Sequence, residues 1–546
     1  MSAPGTALDT RVVVVGGGVT GVAVLRDLAR RGIDAILVER SDLGTGTSGR
    51  WHGLLHSGGR YAVRDQESAR ECIEENRVLR RIAPHAIEDL GGLFVLLPGD
   101  DQGYAEQFAK GCADSGIPAE ELSAAEARRR EPLLNPEVRM AYAVPDAGID
   151  SWVLLHSMAE DAVAHGARVL TRHPVVGFER GDGRIAAVRV LDRVAGEERL
   201  IGCEWVVNAA GPWAGEVGRL AGVPIRMIPG KGVMVVMASR YVRGVVNALR
   251  KPADGDIVVP QHEVAILGTT SVEAPHPDDI AVDPADVDKM IDMCAQMVPS
   301  IAHGRVLRAF AGNRPLYKPE EPAGGVGDTR EVSRTFTVLD HASRDGLENM
   351  LSIVGGKLTT CRQMAEKLVD VLAAKMGVTA PCTTATAPLP GADHGNHQLA
   401  APLARVEREA AYGELLCECE LVTTAQVRAT AAAGVAELED LRRKLRVGFG
   451  PCQGAFCVWR AAAILHEEQP ASQDPLVGLR RFLEERWRGQ RTAVWGDQAR
   501  QALLNQAIYR GIFNLGPEGP LDEAAELAVE AAPASTHVTA TAGDGS

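Results

Sequence analysis

The chain has 546 residues, too many for one simple core, so two or three domains are expected. Apolar residues make up 45%, charged residues 24% and aromatics 4%, an ordinary composition for a globular protein. A formal charge of −14 argues against sequence-independent binding to nucleic acid, so no nucleic-acid partner is expected.

In chain order, Arg11–Val15 is a short β-branched run that reads as a buried strand. The turn Gly16–Gly18 follows, then a helix from Val19 to Arg31, then a second strand, Asp34–Glu39. This is the opening β-α-β unit of a Rossmann-type sheet. Gly44–Arg60 is a polar glycine-rich loop, and Ser68–Ala83 has helical apolar spacing. Residues 150–216 return to strand and helix, residues 223–340 are strand-rich, and Leu351–Val354 runs through Gly355-Gly356 into a helix over Thr360–Met376. Residues 381–409, rich in Pro, Gly, Thr and His, read as a linker. A small helical module over 410–470, a helical segment over 471–515 and a disordered tail over 516–546 complete the chain.

The longest nearly apolar run, Val12–Leu25, has 14 residues and contains Gly16, Gly17 and Gly18, short of the ~18 needed to cross a bilayer. No signal peptide is visible in MSAPGTALDT. A cytoplasmic protein without a transmembrane segment is expected, any membrane contact being peripheral on the inner face or through a partner.

Gly16, Gly18 and Gly21 have the spacing of a dinucleotide turn. The first permits the tight turn, the second lets backbone approach a pyrophosphate, and the third allows close helix–strand packing. Glu39, 18 residues after Gly21, stands where a carboxylate accepts ribose hydroxyls. The turn by itself does not distinguish FAD from NAD. Of the ten cysteines, four are clustered: Cys417 and Cys419 as C-x-C, then Cys452 and Cys457 after 32 intervening residues. Thiolates ligate iron–sulfur clusters and zinc alike, and FGPCQGAFC surrounds the second pair with glycines that bare backbone amides.

The segments TSGRWHGLLHSGGRY (Thr47–Tyr61), NAAGPWA (Asn208–Ala214), GNRPL (Gly312–Leu316) and GGKLTTCR (Gly355–Arg362) resemble motifs of the FAD-dependent glycerol-3-phosphate dehydrogenases, a branch of the D-amino-acid-oxidase-like flavoproteins. With the cysteine module, the chain to about residue 515 resembles the large subunits of the anaerobic enzymes of that family. The resemblance implies an α/β fold over residues 10–380: a discontinuous Rossmann-type FAD domain with an antiparallel substrate-side sheet. It further implies that Gly16, Gly18, Gly21, Glu39, Thr47 and Ser48 bind FAD, that Val176 and Ala210 line its adenine and ribose end, and that Gly356, Lys357, Leu358 and Thr359 border the flavin. The four cysteines resemble a bacterioferritin-associated-ferredoxin-like (BFD-like) module holding a 2Fe-2S cluster, with structural zinc as the rival.

The implied reaction is oxidation of sn-glycerol 3-phosphate to dihydroxyacetone phosphate. Electrons would pass to a quinone through partner subunits, among them a membrane-anchoring iron–sulfur protein. Arg60, Tyr61, Thr270, Arg314 and Lys357 match substrate-side positions of the family. Guanidinium groups bind phosphate oxygens in pairs, and His52 or His56 is the base candidate at neutral pH, His56 preferred. Gly59 departs from single-subunit relatives, which carry a larger apolar residue there. Two other readings remain: an amine or amino-acid dehydrogenase or oxidase of the same fold, and a non-enzymatic electron carrier.

Overall fold

The computed structural model describes residues 8–318, 329–395, 397–409, 415–469 and 475–515. The tail expected to be disordered, 516–546, lies outside the described residues.

β1 (Leu8–Val15), α1 (Val19–Arg30) and β2 (Ala35–Val38) form the opening unit. The run Val12–Val15 is buried on both faces, because Val12 and Val14 enter one core and Val13 and Val15 another. A strand sandwiched in this way must be apolar without alternation. It lies parallel to β2 on one side and to Glu197–Asn208 on the other. The sheet has eight strands: Arg168–Leu170 extends it beyond β2, and Met350–Gly355 pairs in parallel with the end of Glu197–Asn208. The carboxyl ends of these strands open onto one crevice, where ligands bind in such sheets.

A second sheet of nine mainly antiparallel strands stands opposite. Its centre is the long pair Met227–Met237 and Val306–Tyr317, in register at Gly232↔Gly312 and Gly230↔Arg314. Helix Pro284–Met297 covers the rear face with Val287, Met290, Cys294 and Met297, which recur at helical spacing. The front face is left to the crevice.

Residues 381–395 are strapped to the first domain. Arg26, buried and paired with Asp161 at 2.6 Å, donates to the carbonyls of Thr384 and Ala387, and Leu389 N donates to Ile82 O. Helix Ala400–Arg408 follows. The cysteine module has its own core, with Val427, Leu441, Val458, Ala461 and Phe482 on successive helices. It docks on the domains of both sheets through buried and part-buried ion pairs. Arg446 joins Asp150 to Glu420, Arg443 reaches Asp42, Arg172 reaches Asp440, and His262 Nδ1 lies 2.9 Å from Glu420.

Candidate active site and cluster site

A continuous cavity of about 3360 Å³ runs between the two sheets. That is several times an ordinary small-molecule pocket, in keeping with a dinucleotide plus a substrate. At its dinucleotide end, Gly16 has φ +111° and a Cβ there would sit 2.8 Å from Ala209 O. A Cβ at Gly21 would collide with Gly16 O, so this glycine serves helix–strand packing and does not line the cavity. Gly18 has no side chain to cap α1, which leaves the first-turn amides beyond Val19 and the positive helix end towards the crevice. Ser48 Oγ accepts from Val19 N at 3.0 Å, and Thr47 Oγ1 donates to Asn313 O at 2.6 Å. Glu39 accepts from Gly17 N at 2.6 Å and Ser41 N at 2.9 Å. Burial pushes its pKa up while the two amides pull it back. Each oxygen keeps a lone pair for a ribose hydroxyl. Val176 and Ala210 line the same end. This polar, glycine-cleared cradle fits a dinucleotide.

At the other end, Gly355 and Gly356 have φ +79° and +78° and turn the chain into Leu358–Thr360 and helix Cys361–Met376. Gly356, Lys357, Leu358 and Thr359 border the cavity together with His56, Arg60, Tyr61 and Arg314. Lys357 Nζ is 3.0 Å from Glu71, donates to Arg334 O at 2.9 Å and lies 5.5 Å from the Tyr61 ring centroid. Burial disfavours its charge, but Cys72, Tyr61 and Glu71 outweigh this and raise its pKa. Burial also raises the pKa of Tyr61. Arg60 lies 3.7 Å from Asp256.

Arg314 differs from these cations. Its guanidinium donates to Gly230 O and Thr270 O at 3.3 Å and to the hydroxyls of Ser271 and Thr269. No carboxylate stands within ion-pair distance among the described residues. Burial, then Arg334, lowers its pKa to about 9. A desolvated cation without a counter-ion is costly, and this part-buried one faces a cavity, an arrangement that suits an anion.

Two expectations are refined. Thr270 is turned away: it is buried, and its Oγ1 accepts from Val233 N at 2.9 Å. Its neighbours Thr269 and Ser271, in the link between strands Val264–Gly268 and Val272–Glu273, line the cavity in its place. Of the two histidines, His52 Nδ1 accepts from Leu54 N at 3.2 Å, which commits its lone pair. His56 makes no ring hydrogen bond among the described residues. Burial first, then His52, Arg60, Lys357 and Arg334, hold it neutral, with its pKa well below the usual value. Gly59 is explained by packing, since a Cβ would lie 2.9 Å from the Phe94 ring. Arg330 and Arg334 also line the cavity. They come from Thr329–Arg334, a stretch without a motif, and nothing local in the sequence marks them.

In the cysteine module, thiol contacts run as a chain from Cys417 to Cys457 to Cys452, and on to Cys419 at 3.9 Å. Backbone amides of Gly448 and Glu420 face Cys417, and those of Gly454 and Phe456 face Cys452. A Cβ at Gly450 would collide with Cys419 and lie 3.0 Å from its sulfur. Glycine-bared amides aimed at sulfur fit thiolate ligands of a cluster.

Comparison with known proteins agrees with this geometry. Residues 11–362 match the FAD dependent oxidoreductase family, and residues 415–467 match the BFD-like [2Fe-2S] binding domain, which decides against zinc. The A1 subunit of the anaerobic glycerol-3-phosphate dehydrogenase of Haloferax volcanii is 43% identical over 534 residues, covering 92% of this chain and 90% of that protein. The corresponding subunit of the Escherichia coli K12 enzyme is 41% identical over 531 residues, covering 93% and 97%. The chain belongs to the A-subunit family of anaerobic glycerol-3-phosphate dehydrogenases. Among solved structures, the glycerol-3-phosphate dehydrogenase of Bacillus halodurans complexed with FAD aligns with TM-score 0.59 and 22% identity, covering 93% of this chain and 95% of that one. The L-proline dehydrogenase of P. horikoshii aligns at 0.55 and 20%, covering 73% and 99%. Both likenesses concern the fold. The FAD and cluster domains of this dehydrogenase family member are therefore assigned.

Proposed function

We propose that the chain oxidises sn-glycerol 3-phosphate to dihydroxyacetone phosphate, its electrons reaching a quinone through partner subunits. The observation that carries this reading is Arg314, a part-buried guanidinium that faces the cavity with no carboxylate at ion-pair distance among the described residues. Arg60 and Arg330, already paired with Asp256 and Asp254, add positive field around it. A phosphate dianion is the complement of such a set.

FAD, when bound, accepts the hydride from the secondary carbon, and the 2Fe-2S cluster, when bound, handles electrons singly. The remaining work falls to side chains. Arg314 holds the phosphate, with Thr269 and Ser271 hydroxyls at its rim. His56, neutral and with a free ring lone pair, takes the hydroxyl proton as the carbonyl forms. Lys357, kept charged by Glu71, and Tyr61 beside it shape the wall next to His56, whose ring is 5.5 Å from Tyr61. Met234, Ile266 and Phe310 on the sheet face make an apolar floor that excludes water. Gly16, Gly18, Glu39, Thr47 and Ser48 would hold the dinucleotide, and the four cysteines the cluster. No helix among the described residues is long and apolar enough to cross a membrane, so membrane association would be peripheral or through a partner.

Anaerobic titration with glycerol 3-phosphate tests the reading. One equivalent should bleach the flavin, whereas sarcosine, glycine and proline should not. Bleaching by an amino acid and not by the phosphate would replace it with the amino-acid dehydrogenase reading.

A further inference from the structure

The cavity does not end at the apolar floor. It continues along the second sheet to the inner face of the C-terminal module, where Glu439, Glu485, Arg488 and Gly489 line it. Two arginines of this annex have no part in the site described above. Arg308 stands on strand Val306–Tyr317, where alternation puts it on the same face as Phe310, Gly312 and Arg314. The pairing with Met227–Met237 is regular from Arg308 to Arg314, so about 20 Å of strand separates these two positions. Arg50 packs over the strand between them: a Cβ at Gly312 would lie 2.9 Å from Arg50 Cβ. Both arginines line the cavity. Among the described residues, neither guanidinium donates a hydrogen bond or has a carboxylate within ion-pair distance. Arg308 Nε is buried without an acceptor, against helix Pro475–Gln490, where a Cβ at Gly489 would sit 2.8 Å from it. The nearby carboxylates are taken, Glu439 by Arg442 at 2.8 Å and Glu485 by Arg488 at 2.9 Å. Burial is the largest influence on Arg50 and Arg308 and lowers their pKa, but a guanidinium keeps its proton at neutral pH. A desolvated cation without a counter-ion is costly. Two of them beside a passage that leads to a third suit the transit of a small anion.

We infer that Arg50 and Arg308 form an outer anion subsite on the path to Arg314, which a phosphate monoester passes on its way in and out beneath the C-terminal module. The inference rests on the reading that the substrate is such an ester, and it names the route. Phe310 and Gly312, between the two ends, present no polar side chain that would hold the anion midway. A cation on the path but not at the destination has a kinetic signature. It lowers the barrier in both directions and leaves the equilibrium at Arg314 nearly alone, whereas a cation of the clamp itself changes the equilibrium.

The test mixes dihydroxyacetone phosphate with the full-length, FAD-loaded protein in its oxidised state, where no turnover follows, and reads kon and koff from the flavin absorbance by stopped flow. Arg50→Gln/Arg308→Gln should lower both rates about tenfold at low salt, with Kd within about twofold of wild type. Wild-type kon should fall as salt rises from ~20 to ~200 mM, and the variant's should fall less. Arg50→Lys/Arg308→Lys keeps the charges, so both rates should stay within about threefold of wild type. Arg129→Gln, which removes an exposed arginine of helix Ala124–Arg130 outside the cavity, should change neither rate. Unchanged rates in the glutamine pair would overturn the inference. So would a rise in Kd through koff, which would make the two arginines part of the clamp. Loss of FAD from both the glutamine and the lysine pairs would assign them to the cofactor and overturn it too. A wild-type flavin that responds to neither dihydroxyacetone phosphate nor glycerol 3-phosphate would instead sink the functional reading, and the outer subsite with it.

Discussion

Arg314→Met removes the phosphate clamp while keeping most of the side-chain volume. Truncating one partner of a buried, hydrogen-bonded charge pair costs about 2–5 kcal/mol. Arg60, Arg330 and Lys357 remain, each already paired with a carboxylate. Their field survives but their hydrogen bonds are committed, which places the loss near 2–3 kcal/mol. At 1.4 kcal/mol per tenfold, KM for glycerol 3-phosphate should rise roughly 30- to 150-fold with kcat little changed. The same structure makes a second, opposite prediction for the ligand-free protein. Burial depresses the Arg314 pKa to about 9, so below that pH its charge opposes folding. The methionine variant should therefore melt at or above the wild type. Glycerol 3-phosphate at 100 times its Kd should stabilise the wild type by about 2.7 kcal/mol and the variant hardly at all. Steady-state kinetics and calorimetry read the two arms. A KM within threefold of wild type, or a large fall in the ligand-free melting temperature, would refute the anion-site reasoning.

His56→Gln should lower kcat about 10²- to 10⁴-fold with KM held, and His52→Gln should do less, because its Nδ1 already serves Leu54 N; a reversed order in steady-state assays would move the base to His52. Gly450→Val places a side chain against Cys419, so iron per flavin should fall while FAD is retained, as measured by metal analysis and absorbance. Arg446→Ala strands two buried carboxylates and should cost about 3–5 kcal/mol of module docking, seen as a separate early melting step or protease release of the module; a single unchanged transition would contradict it. Asp150 and Glu420 both titrate at about 2: burial alone would raise them, and Arg446 overcomes it. Depressed carboxylates contribute stability above the unfolded value of ~4 that is lost as pH falls through the folded one. Docking should therefore hold at pH 5 and fail towards pH 2, a window that tryptophan fluorescence can follow.

Much of this protein was legible because its chemistry is written in short, local patterns. Four valines in a row require a strand covered on both faces. Three glycines at fixed spacing require a turn under a helix start, and two cysteine pairs among glycines require thiolates facing bare amides. Steric and hydrogen-bonding needs within a few residues determine each of these whatever the rest of the chain does. Tertiary structure decided the matters that depend on direction and on distant partners. It selected Thr269 over Thr270, since the Thr270 hydroxyl is taken by the amide of Val233, a partner distant in sequence. It separated His56 from His52 through one backbone amide. It brought Arg330 and Arg334 to Arg314 and let Asp150 meet Arg446 across nearly 300 residues of sequence. A buried charge takes its meaning from its neighbours, and in a folded chain most of those neighbours are far away in sequence.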